Sequence, residues 1–349
     1  MIINMPPPKL AVIPLLQHNG SPCRALVKKG QKVKKGQKIG DTDAYLGAPV
    51  HASISGTVVA IKPVNYPSGP EISAVFIESD NLDKWSPEVH RDDNYFRLLA
   101  HEVRGRIREK GLAGFNAPPE EHLIRTVIMQ SVTAHPGFTA SAQLLLENPR
   151  SVIEGLKIVM NLLDVARGII AVPAQRSDAL TVMRQAVLME PNMEVAAVRK
   201  TYSVADESRL IKELLKVNVP AGKTPQASGI VIDHVATAIA IYEALRYNKP
   251  LIDRVITVDG SGIREPQNIR VRIGTSLSEI IDFCGGRQGE ITELTLGGEP
   301  AGNFLDHSEV PVTKRTTGLL LLTRRETGSA FRRWLRNLVV ALVPPLVVK

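Results

Sequence analysis

Between Asn148 and Leu245 the chain alternates two hydrophobic rhythms, and this constrains its fold more than any other feature. Val152, Ile153, Leu156, Val159, Met160 and Leu163 recur at helical spacing behind Asn148 and Pro149, a pair suited to a helix N-cap and first turn. Residues 168–172 form a short apolar run closed by Pro173, read as a buried strand. Ala179, Leu180, Met183, Val187 and Leu188 mark a second helix, 195–198 a second strand, and Leu210, Ile211, Leu214 and Leu215 a third helix. A strand at 229–232 and a helix lined by Val235, Ile239, Tyr242 and Leu245 complete the series. Short apolar strands separated by helices predict βαβ units on a mostly parallel sheet, a Rossmann-like α/β domain. Upstream, 95–110 reads as helical and is broken at 111–115, with Pro118 and Pro119 marking a loop. Residues 127–129 read as a strand running into a turn at 135–137.

The flanks follow other rules. Residues 23–62 hold a near-repeat, Val27-Lys-Lys-Gly-Gln and Val33-Lys-Lys-Gly-Gln, then Ala48-Pro-Val-His-Ala and Gly56-Thr-Val. Apolar pairs punctuated by glycine predict short strands and tight turns. The pattern resembles the barrel-sandwich fold of lipoyl and biotinyl domains, which carry a modifiable lysine on the hairpin between their halves. Here that hairpin, 40–47, has no lysine, so a swinging-arm role is excluded. The lysines beside Gly30 and Gly36 are expected at exposed strand and turn positions, with a dedicated anion site as the alternative. Residues 72–78 read as a further strand. After Pro250, 251–258 alternates with period two and 271–273 is a strand. Thr275 or Ser276 caps a short helix through Phe283, stopped at Gly285 and Gly286. Strands at 291–296 and 318–322 complete a small α+β unit, for which a β-grasp is the natural candidate.

Composition removes several functions. The two cysteines, Cys23 and Cys284, are far apart and there is no CxxC, so no iron–sulfur cluster, structural zinc site or disulfide framework can be built from local motifs. A reducing, cytosolic setting follows. No apolar stretch approaches a membrane span, and residues 1–10 do not read as a secretory signal. The net charge of +8 is concentrated: 24–38 holds seven basic residues and no acid, and 314–349 carries +7, leaving the rest at −6. The eight histidines lack HxxxH or HxH spacing, so no metal ligand set is expected. The tail, 324–349, mixes Arg332, Arg333 and Arg336 with Phe331, Trp334, Leu335 and Leu338. It reads as a basic segment for an anionic membrane surface or an acidic membrane protein, or as one packing on its own body or a partner. Nucleic acid is the poorest reading, with 15 aromatic residues in all and no stacking motif.

Three blocks in three different domains resemble one family, RnfC, the NADH-side component of the Rnf electron-transport complex. Its relatives are the NqrA component of the sodium-pumping NADH:quinone reductase and the flavin subunit of respiratory complex I. The blocks are 14–22 with the lysine–glycine repeat and 48–52; then 229–244; then 250–258 with 265–276, Gly297, Gly298 and 312–314. The resemblance runs from about residue 12 to 323. It implies a barrel-sandwich N-terminal domain (1–93), a Rossmann-like domain resembling the FMN- and NADH-binding one (94–248), a β-grasp domain of the SLBB kind (249–323) and the basic tail (324–349).

The same resemblance exposes departures. The family's glycine-rich flavin loop, G-x-G-G-A-G-F-P, is here reduced to Gly111-Leu112-Ala113-Gly114-Phe115-Asn116, which also reads as a plain helix-breaking turn. The acidic element N-G-x-E-x-E-P is Gln130-Ser131-Val132-Thr133-Ala134-His135-Pro136, with Thr133 and His135 in place of both glutamates. The element N-V-x-T is His234-Val235-Ala236-Thr237, keeping the threonine. The degenerate FMN/NADH site is therefore expected at Gly111, Gly114, Phe115, Gln130, Thr133, His135 and Thr237. The family's two four-cysteine clusters are missing after 320–323, so no iron–sulfur cluster is expected. The leading expectation is a cofactor-depleted structural or docking subunit of a membrane-associated electron-transfer complex, peripheral at the cytoplasmic face. One alternative is an active flavin-linked NADH oxidoreductase subunit using Gln130, Thr133, His135 and His234 and passing electrons to a separate iron–sulfur protein. The other is a small-ligand or polyanion-binding module using the β-grasp domain and the lysine-rich hairpin.

Overall fold

The computed structural model describes residues 1–18, 20–66, 69–113, 123–133, 135, 137–199, 207–298 and 309–323. The expected basic tail, the loop at Pro118 and Pro119, the middle of the turn at 135–137, and the expected site residues Gly114 and Phe115 lie outside the described residues.

The first strand, β1 (Ile2–Asn4), leaves the N-terminal unit and pairs in parallel with a strand more than 260 residues away. The next seven are β2 (Leu10–Pro14), β3 (Arg24–Ala25), β4 (Lys32–Val33), β5 (Lys38–Asp41), β6 (Val50–His51), β7 (Gly56–Tyr66) and β8 (Gly69–Ser79). They form sheets ordered β2-β8-β7-β4 and β3-β5-β6. Ile13, Ile39, Val50, Val58, Val75 and Ile77 close the core between them, giving the barrel-sandwich the sequence predicts. The near-repeat is a repeat in backbone too. Gly30 and Gly36 sit at φ 85° and 82°, and Gln31 and Gln37 accept the backbone N–H of Lys28 and Lys34 at 3.2 and 3.0 Å. Lys28, Lys29, Lys32 and Lys34 are exposed as expected. Lys35 is not: it is 5% exposed, paired with Asp83 and placed 4.2 Å over the Trp85 ring. Alternation beyond β4 explains this, since Val33 points in, Lys34 out and Lys35 in again.

The central unit follows the predicted alternation. Its elements are α1 (Ala100–Glu109), β9 (Thr126–Gln130), α2 (Ala140–Glu147), α3 (Pro149–Leu163), β10 (Gly168–Pro173), α4 (Ser177–Ala186), β11 (Met193–Val198), α5 (Glu207–Leu215), β12 (Ile230–His234) and α6 (Val235–Arg246). All pairings in this sheet are parallel, in the order β11-β10-β9-β12. Alternate residues feed opposite faces. Val127, Met129, Ile170 and Val172 join a core with α1, α2, α3, α4 and α6, whereas Ile128, Ile169 and Ala171 meet Leu210 and Ile211 of α5.

Local differences have local causes. The 95–110 segment is a 3-10 turn (Tyr95–Arg97) followed by α1, not one helix. The second predicted helix ends at Ala186, leaving Leu188 76% exposed. Asn148 precedes α3 as predicted, but its side chain makes no capping bond, so Pro149 supplies the start signal.

The third unit holds β13 (Asp253–Asp259), β14 (Gln267–Arg272), α7 (Leu277–Phe283), β15 (Ile291–Gly297) and β16 (Gly318–Thr323), in a sheet ordered β1-β14-β13-β16-β15. Ser276 caps α7 through a capping box with Glu279, and the β-grasp expectation holds. β13 is buried on both faces rather than alternating. Ile256 and Val258 meet the α7 core, while Val255 joins the central core and Thr257 Oγ1 accepts the N–H groups of Thr139 and Ala140 at the start of α2.

Candidate functional site

The chain passes from β9 to β10 and β11 on one side, then returns to lay β12 on the other side of β9. The gap between β9 and β12 is the switch point where ligands of open α/β sheets bind, beyond the carboxyl ends of the strands. Gln130 and His234 are the terminal residues there and face each other in register. A cavity of about 590 Å³ opens at this point and is closed by parts of all three units. That volume lies within the roughly 300–1,000 Å³ of small-molecule sites.

Gly111, Gln130, Thr133 and Thr237, four of the expected site residues, line this cavity together with His234. His135 is not among its lining; its ring packs 5.3 Å from that of Phe138, and its Nδ1 accepts the Gly137 N–H at 3.1 Å. The Thr133 hydroxyl is within bonding distance of the His135 and Phe138 carbonyls, at 3.0 and 3.1 Å. It therefore acts as a donor that holds the turn, the reverse of what a carboxylate does.

His234 is equally committed. It caps α6, its Nδ1 accepting the Ala236 N–H at 3.1 Å. That bond assigns the proton to Nε2, which donates to Ser141 Oγ at 2.8 Å. Burial holds its pKa down to about 3, so the ring is neutral at pH 7. Neither His234 nor Thr133 is available as a proton carrier. Thr237, the residue kept from the family element, donates to Asp233 Oδ1 at 2.8 Å, and the His234 N–H reaches the same oxygen at 2.6 Å.

Three site residues escaped the sequence reading. Asp233 and Glu207 both line the cavity, and burial raises both carboxyls above their ordinary range. Lys314 is 9% exposed and bridges the units: its Nζ donates to Gly111 O at 2.7 Å and Pro49 O at 2.8 Å. The signal for Asp233 was an acid ending an apolar strand one position before the 234–237 motif. Lys314 lies in the 312–314 stretch, where the resemblance gives it no role, and Glu207 carries no sequence signal.

The set fits a polar ligand of flavin size. Gln130 is 8% exposed and its Oε1 is buried without a partner among the described residues, an acceptor that a ligand donor would satisfy. Gly111 stands at φ 84°. Among the described residues, no group of three His, Cys, Asp or Glu side chains could hold a metal, and both cysteines are buried and free. No described helix is long and apolar enough to cross a membrane.

Comparison with known proteins agrees with this layout. Residues 1–82 match the RnfC barrel sandwich hybrid domain, 106–243 the Nuo51 FMN-binding domain and 255–294 the SLBB domain. The chain is 34% identical over 333 residues to the C component of the proton-translocating ferredoxin:NAD(+) oxidoreductase complex of Clostridium ljungdahlii, covering 93% of this chain and 73% of that protein. It is 31% identical to the C component of the Na(+)-translocating ferredoxin:NAD(+) oxidoreductase complex of Acetobacterium woodii, covering 93% and 75%. A solved structure, an NAD+-reducing [NiFe]-hydrogenase in the H2-reduced state, shares the fold with a TM-score of 0.51 at 15% identity, over 66% of this chain and 49% of that one. With its barrel-sandwich, FMN-binding-like and SLBB units in this order, the chain belongs to the RnfC family of Rnf electron-transfer complexes.

Proposed function

We propose that this chain is the RnfC-type component of a membrane-associated electron-transfer complex, serving in assembly and docking at the cytoplasmic face. Its cavity keeps room for a flavin-sized ligand without the family's hydride-handling acids. One observation carries this reading: Thr133 and His234, at two of the altered motif positions, are both committed to structural hydrogen bonds. An occupant of the cavity would be held by Gln130, Gly111 and Lys314 on its wall. FMN, when bound, supplies the exchange between two-electron and one-electron chemistry. The chain's own part is to present an acceptor at Gln130, a cation at Lys314 and a neutral imidazole at His234.

A second reading, an active flavin-linked NADH oxidoreductase subunit, is favoured by Asp233 and Glu207, which put two carboxylates into the cavity from positions outside the family motifs. Purification under gentle conditions followed by visible absorbance and titration with FMN and NADH separates the two. The docking reading expects no bleaching of any bound flavin by NADH. Stoichiometric flavin that NADH bleaches would overturn it and establish the second reading. Docking through the tail is tested by deletion after Thr323, which should leave folding intact and reduce co-sedimentation with membranes or partner subunits; unchanged sedimentation removes that role.

A further inference from the structure

Lys314 presents a buried cation whose charge no described residue neutralises. It is 9% exposed, its two side-chain partners are carbonyl oxygens, and no carboxylate lies within ion-pair distance among the described residues. An ammonium carries three N–H donors. Gly111 O and Pro49 O take two of them, and the third has no protein partner among the described residues. Lys314 is also part of the cavity wall. A buried charge in this condition is costly unless a counter-charge meets it.

The surroundings are arranged to keep the amine in place. At Gly111 a Cβ would stand 2.6 Å from Lys314 Nζ and 2.9 Å from Pro49 O, so the ammonium fills the space another residue would need. The Lys314 N–H donates to Gln17 Oε1 at 3.0 Å, and Gln17 Nε2 donates to Pro14 O at 3.1 Å, which fixes the backbone below the stem. The titratable groups that feel Lys314 are His18, Cys23 and His51, and Lys38, Asp41, Arg108 and Lys110 act on those three in turn. Burial lowers both histidines and raises the Cys23 thiol, so these three stay neutral. Asp41 is taken by Lys38 and Arg108, both at 3.0 Å. Arg254 and Arg315 line the same cavity, as do the acids Asp233 and Glu207.

We propose that Lys314 is an anion-binding point in this cavity and receives the phosphate group of a phosphorylated ligand, whose donor-bearing part meets Gln130 Oε1 and the carboxylates of Asp233 and Glu207. This rests on the reading of the cavity as a ligand site. Burial holds the Lys314 amine down to about 8, and an anion against it raises that value again.

The test is made on the full chain with inorganic phosphate, FMN and riboflavin as probes. The Lys314 Cε signal, assigned by its loss in Lys314→Arg, is followed by NMR against pH. Phosphate should move it saturably and raise its midpoint. Thermal stabilisation by phosphate should vanish in Lys314→Met. FMN should bind wild type roughly tenfold or more above riboflavin, as expected of one charge-assisted hydrogen bond, and the preference should collapse in Lys314→Met. A Lys314 signal blind to phosphate, or a Lys314→Met variant that responds like wild type, overturns the proposal. If phosphate titrates Lys314 and neither flavin binds, the anion site stands and the flavin-sized ligand falls. If both flavins bind equally and phosphate is ignored, the reverse holds. Should Lys314→Met fail to fold, the wild-type NMR titration still decides.

Discussion

The Thr133 hydroxyl lies 3.0 Å from the His135 carbonyl and 3.1 Å from the Phe138 carbonyl, closing the turn that follows β9. This contact makes position 133 a donor site. Thr133→Ser should be near neutral, and Thr133→Val should cost about 1 kcal/mol, the net worth of one internal hydrogen bond. Thr133→Glu, which restores a family acid, should cost more than Thr133→Val because it sets a carboxylate against two carbonyl oxygens. Denaturant midpoints for the three variants check this ranking. A glutamate variant as stable as wild type would show that the turn can reopen around an acid.

His234 sets an acid limit on stability. Its native pKa is about 3 against an ordinary 6.5, so between those values the unfolded chain binds a proton the native state refuses. Stability from this group is complete above pH 6.5 and is lost as pH falls towards 3, with a slope of about 1.4 kcal/mol per pH unit for one proton. His234→Asn keeps an oxygen to cap the Ala236 N–H and removes the titration. The difference in stability between wild type and variant should therefore change sharply between pH 6.5 and 4 and stay flat from 7 to 8. A parallel pair of curves would mean that His234 is already protonated in the native state.

The βαβ rhythm was legible because parallel strands covered on both faces read as continuous apolar runs, as 168–172 does. β1 was not, since nothing local in Ile2-Ile3-Asn4 says that its partner is β14. α2 was missed because its buried face is built largely of small residues, Ala140, Ser141 and Ala142, which make no apolar stripe. At the site, Gln130, Thr133 and Thr237 were readable because they end or follow strands within motifs. Lys314 acquires a role only when three units close on one another, which puts its amine beside Gly111 and Pro49.

Lys35 and Asp83 pair inside the N-terminal unit, and Asp83 also takes Arg272 of β14 at 3.1 Å, tying the first unit to the third. The Lys35 side chain is 6% exposed, so losing Asp83 strands its charge. Asp83 stands at φ 45°, which asparagine tolerates, making Asp83→Asn the clean variant. It should cost roughly 3 kcal/mol, the range for breaking a buried pair from one side. Lys35→Met combined with Asp83→Asn should recover most of that loss. Urea unfolding of the double-mutant cycle measures it, and a double variant no better than Asp83→Asn would place the cost in the Asp83–Arg272 contact instead.

Two helical glycines should respond to alanine with opposite signs. Gly105 in α1 has open space where a methyl would go, so Gly105→Ala should gain about 0.5–1 kcal/mol through helix propensity and a less flexible unfolded chain. Gly155 in α3 faces α6, and a methyl there overlaps the Ala238 carbonyl. No rotamer relieves a clash of Cβ with backbone, so packing outweighs propensity and Gly155→Ala should lose about 1–3 kcal/mol or more. The loss has a functional side. α6 continues from β12, and the α3–α6 contact backs β9 and β12, whose ends hold Gln130 and His234 against the cavity. Thermal midpoints of the two variants give the signs. A stabilised Gly155→Ala would mean that α3 and α6 have room to part and that this contact does not fix the cavity wall.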